Sequence, residues 1–174
     1  MTTCARCGKT TGPGLAWRSW ASQTTPRTCS QLRTACWLTN QADIGNAVKP
    51  YYGEDAGNKL TDLLKQHIQT AVGVLQAAKT GDPAQLNQAK AAFYANGNQI
   101  ANFLTNANPQ NWPRDAVQNM MKTHLDQVVQ MGSDELTHHY PESVNDWNAY
   151  RDHFLAMADT LSNGIVKQFP NRFS

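Results

Sequence analysis

The first 42 residues contain no aspartate or glutamate; all thirteen acidic residues lie from Asp43 onward. Cysteine is skewed the other way, with Cys4, Cys7, Cys29 and Cys36 early and none afterwards. No apolar run approaches the roughly 20 residues of a membrane span, so no membrane partner is expected. The N-terminus also lacks an apolar stretch of the secretory kind, which makes a cytoplasmic location the expectation. A formal charge of +2 offers no basic surplus for binding nucleic acid. The sequence has no HExxH, no paired ExxH, no G-x-S-x-G turn and no glycine loop able to cradle phosphate. With no nucleophile or acid–base pair visible, binding or structural roles rank above catalysis.

What is present is helical periodicity. With 174 residues the chain is long enough to bury a core without disulfides or metals. Ile44, Ala47, Val48 and Tyr51 recur at helical spacing from Asn40, and Pro50 limits that helix. Glu54 to Lys79 carries one apolar stripe, Leu60, Leu63, Leu64, Ile68, Ala71 and Leu75, stopped by Gly81-Asp82-Pro83. Asp82 caps the next helix, which turns Phe93, Ile100 and Leu104 inward until Asn108-Pro109. A fourth helix is expected from Pro113 to Gly132, then a loop from Thr137 to Pro141. The last runs from about Val144 to Gln168, ended by Pro170. No segment alternates with period two. The predicted fold is all-α: an up-and-down antiparallel bundle of four to five helices over residues 38–174, after an irregular segment at 1–37.

The body resembles a family of small bacterial helical proteins. The resemblance rests on Asn40-Gln41-Ala42-Asp43-Ile44-Gly45-Asn46-Ala47-Val48-Lys49-Pro50-Tyr51-Tyr52-Gly53, with Tyr94-Ala95-Asn96, Asn106-Ala107-Asn108-Pro109 and Gly164-Ile165-Val166-Lys167-Gln168-Phe169-Pro170. Members are sometimes labelled acetylglutamate kinase or glycosyltransferase. Both activities need sheet-based folds, and this sequence has no strands to build them.

Family members carry an LWEDH-type helix followed by WTR, then a PDLxxTxxRLL-like segment, ahead of this motif. Neither stands in this chain, yet both are reachable by a shift of frame. Codons for Arg6 to Gly14 can be chosen that, read two bases later, give LWEDHWTR; those for Pro26 to Trp37 give PDLQPTSDRLL. The expectation is that Met1 to about Trp37 is an out-of-frame translation. Loss of a first helix would leave apolar surface open to self-association. The rival reading of the segment is zinc held by Cys4 and Cys7, although Cys29 and Cys36 are spaced poorly for a knuckle.

Polar residues on the apolar faces are the candidate site. His67 follows Leu63-Leu64 in the same register as His124 follows Met120-Met121, which centres each histidine on its stripe. His153 lies at the edge of the last stripe, Asn96 between Phe93 and Ile100, and Asn40 in line with Ile44. Histidines from separate helices can converge on a divalent transition metal, with Asp43 or Asp159 as carboxylate ligands and Asn40 and Asn96 contacting a bound group. The alternatives are a metal-dependent enzyme of unknown reaction, and a structural or interaction bundle whose polar core specifies packing.

Overall fold

The computed structural model describes residues 26–173, with side chains from residue 39 onward. The cysteines, the zinc reading and the whole segment expected to be out of frame therefore lie outside the described side chains. Five helices follow one another: α1 Pro26–Tyr52, α2 Glu54–Thr80, α3 Pro83–Ala107, α4 Arg114–Leu136 and α5 Tyr140–Gln168, with a 3-10 turn at Pro170–Arg172. No strand occurs among the described residues. The all-α bundle is the architecture observed among the described residues.

Local chemistry explains the boundaries. Gly81 takes the left-handed conformation that ends α2, with φ of 71°. Asp82 then accepts hydrogen bonds from the Ala84 and Gln85 amides at 2.8 and 3.4 Å, satisfying donors that the first turn of α3 would leave orphaned. Several helices run further than their punctuation suggested. α1 starts at Pro26, across the boundary expected at residue 37, and keeps Pro50 inside its last turn. α4 continues through Gly132 to Leu136, and α5 begins at Tyr140 with Pro141 in its first turn, where the missing proline N–H costs nothing. The expected loop shrinks to Thr137–His139.

Each helix packs chiefly on its neighbours in sequence, and the turns between helices alternate between the two ends of the bundle. The core holds Leu63, Val74, Phe93, Ile100, Leu104 and Leu125, joined by Trp112, Val117, Met121 and Met157. Burial of each large apolar side chain contributes about 1.5–3 kcal/mol. At one end Trp112 is pinned between Tyr52, ring centroids 6.0 Å apart, and α5, where its indole would occupy the space of a Cβ on Gly164. Asn108 donates to the Gly164 carbonyl at 2.9 Å and ties the α3–α4 loop to the same spot.

The inward face of α1 differs from the expected stripe. Ile44 is 40% exposed and Ala47 is also exposed, whereas Gln41 and Gly45 are buried. The cause is a close crossing of α1 over α2. A Cβ on Gly45 would lie 2.5 Å from the Gly57 carbonyl oxygen, and one on Gly57 would lie 2.6 Å from that of Gly45. Backbone contact of this kind selects the glycine face and turns Ile44 outward.

Candidate functional site

Midway along the bundle, four helices bring their polar groups to one place. α2 supplies His67, α3 Asn96, α4 His124 and α5 His153. His67 and His124 are buried at 9% and 8% exposure, and their rings stack with centroids 5.9 Å apart. On its other side His67 lies over Phe93, with centroids 4.9 Å apart. His124 meets Tyr150 and Phe154 of α5 at 5.4 and 5.9 Å.

The hydrogen bonds fix which nitrogen of His67 carries its proton. Asn96 Nδ2 donates to the Leu63 carbonyl at 3.2 Å, which turns Asn96 Oδ1 toward His67 Nδ1 at 2.8 Å. An amide oxygen only accepts, so Nδ1 carries the hydrogen and Nε2 holds the lone pair. An outer partner on one imidazole nitrogen is the arrangement that orients metal-ligating histidines. His153 Nε2 donates to the Met120 carbonyl at 3.0 Å by the same reasoning, tying α5 to α4. His124 is different: its Nδ1 is buried and has no partner.

Electrostatics keep the pair neutral. Burial lowers the pKa of His67 despite the opposing Asn96 bond. His124 is lowered to about 4, first by burial and then by repulsion from His67 and His153. At neutral pH both rings therefore offer lone pairs rather than charge.

Of the residues singled out in the sequence, the structure brings His67, His124, His153 and Asn96 to one layer. Asn40 and Asp43 are exposed on α1, and Asp159 is exposed on α5. Rotation of α1 by its glycine crossing removes the expected inward Asn40 and puts Gln41 inside instead, with its Oε1 buried and unpartnered. Among the described residues, no three His, Cys, Asp or Glu side chains are grouped to hold an ion. The aromatic wall of Tyr150 and Phe154 was missed as part of the site. Its signal was the spacing of Trp147, Tyr150 and Phe154 on one face of α5. Burial also pushes the Tyr150 hydroxyl pKa up, so it stays protonated.

No family model, curated protein or solved structure matches the chain. The functional reading therefore rests on side-chain geometry. Two neutral imidazoles from adjacent helices, one oriented by an amide and one lacking a partner, can coordinate a borderline-soft cation or accept hydrogen bonds from a small ligand.

Proposed function

We propose that the protein binds a divalent transition metal, with His67 and His124 as the imidazole ligands. The observation that carries this reading is the unpartnered, buried Nδ1 of His124 beside a histidine whose tautomer is set by Asn96. A buried polar atom left unsatisfied costs about 1–3 kcal/mol, and a ligand at that nitrogen would remove the cost. Two imidazoles make only half of a four-coordinate site. An N-terminal helix restored to frame would bring a Glu-Asp-His sequence able to supply the rest; water is the other source.

The test is elemental analysis of the purified chain and of a frame-restored version, each beside a His67→Ala/His124→Ala variant. Near-stoichiometric metal that the double variant lacks supports the proposal. Metal only in the frame-restored protein assigns further ligands to its N-terminus. No metal in any form removes the reading. A second reading, a polar layer that specifies helix packing, is favoured by the bonds from Asn96 to Leu63 and from His153 to Met120. It expects His67→Leu to fold at least as stably as the parent.

A further inference from the structure

α5 lays one side on α4 and on the turn that follows it, with Met157 and Gly164 buried there. The opposite side faces solvent. At about 100° per residue, Leu155 lies roughly 160–180° round the helix from both buried residues. The outer stripe it centres also carries Val144, Asn148, Arg151, Asp159, Ser162 and Val166, all of them exposed. Leu155 is 57% exposed, and Val144 and Val166 are each 41% exposed.

A surface leucine or valine standing singly is ordinary. What sets this stripe apart is its order about Leu155. A valine stands eleven residues before it and another eleven after, and a small uncharged polar side chain stands seven before and seven after. Four residues away on either side the charges are opposite, Arg151 before and Asp159 after. Such a surface is self-complementary under a two-fold axis through Leu155. In an antiparallel pair Leu155 meets its own copy, Val144 meets the partner's Val166, and Arg151 meets the partner's Asp159. A parallel pair would set arginine on arginine and aspartate on aspartate. Within one helix Arg151 and Asp159 are about 12 Å apart along the axis, too far to pair with each other. Arg151 contacts its neighbour Asp152 at 2.8 Å, an exposed pair that exchanges readily. Asp159 takes part in no ion pair among the described residues. The spacing corresponds to about 3.67 residues per turn, close to that of a straight helix, so the stripe stays on one side from Val144 to Val166.

We propose that α5 is the interface of a symmetric antiparallel homodimer, with Leu155 on the two-fold axis and an Arg151–Asp159 ion pair on each side of it. Charge complementarity selects a second copy of this chain as the occupant and fixes its direction. One helix pair is smaller than the roughly 800 Å² per partner of a standard interface, so the dimer exchanges with monomer. The stripe uses neither His67 nor His124, and the dimer stands or falls separately from the metal reading.

The experiment is sedimentation equilibrium of the full chain from micromolar to near-millimolar concentration, in reducing buffer so that the cysteines cannot bridge. A reversible monomer–dimer equilibrium is expected, weakened by salt. Arg151→Glu and Asp159→Arg each set like charges against each other twice per dimer, and each should weaken it at least about ten-fold. The double variant exchanges the charges and should return the dimer to within about three-fold of the parent. All these positions are exposed, and circular dichroism checks that each variant keeps its helices. A chain that stays monomeric throughout the range overturns the proposal. So does a dimer indifferent to the single charge reversals, or one that the double variant fails to restore, since the charges would then not face each other. A dimer lost on restoring the N-terminal frame would overturn it in favour of apolar surface left by a missing first helix.

Discussion

Acidification tests the buried histidines directly. In the unfolded chain His124 titrates near 6.5, but in the fold its pKa is about 4. Between those values the unfolded chain holds a proton that the native protein excludes. Stability is therefore fully present above about pH 6.5 and is lost as pH falls toward 4. The gap between 6.5 and about 4, at about 1.4 kcal/mol per pH unit, amounts to roughly 3–4 kcal/mol from His124, and His67 is shifted in the same direction. Asp146 acts oppositely. Its pKa is raised by burial, by the Asp134 carboxylate beside it and by Glu142, so its protonation favours the fold and offsets part of the histidine effect at the acid end. Urea unfolding at half-unit steps from pH 8 to 4.5 should show a slope approaching 1.4 kcal/mol per pH unit below pH 6, at constant m-value. His124→Leu should remove the His124 share of that slope and leave the part due to His67. A parent whose stability is flat between pH 6.5 and 4.5, or a His124→Leu variant with the full slope, would refute the assignment of buried neutral imidazoles.

Two further outcomes follow from the packing. Gly57→Ala places a methyl group against the Gly45 carbonyl oxygen at 2.6 Å, a backbone contact that cannot rotate away. Unfolding free energy should drop by about 1–3 kcal/mol, and a variant within 0.5 kcal/mol of the parent would show that α1 does not cross α2 so closely. Phe154 and Leu155 of α5 are 49% and 57% exposed. Leu155→Gln should leave stability within about 0.5 kcal/mol of the parent while reducing self-association in sedimentation velocity. An unchanged sedimentation profile would show that α5 takes no part in association.

The sequence reading succeeded where chemistry is local. Gly81, Asp82 and Pro83 each act within a turn, so the α2–α3 junction was legible to the residue. The register of His67 and His124 was equally readable, because both lie on long stripes whose apolar partners dictate the inward direction. α1 failed for the opposite reason. Its apolar residues define one face, but its glycine defines the contact, and a Gly45–Gly57 crossing depends on a partner helix that periodicity does not reveal. The same holds for Gly132: it reads as a stop in isolation, yet α4 passes through it to Leu136. Asn96 illustrates what lies between these cases. Its inward position was legible, whereas its bonds to Leu63 and His67 depend on how α3 sits against α2.

The order of packing, each helix against the next, bears on how the chain reaches this state. Contacts that join sequence neighbours ask for the closure of short loops only, and topologies dominated by such contacts fold fast. The α2–α3 hairpin is the natural nucleus: its turn is only Gly81 and Asp82, and the cap on α3 forms without tertiary help. α4 and α5 can then add in order. The histidine layer, which draws on α2, α3, α4 and α5 together, is completed only after the last helix docks. Damage to α5 would therefore remove the His153–Met120 bond and the Tyr150–Phe154 cover of His124 while leaving the α2–α3–α4 packing in place.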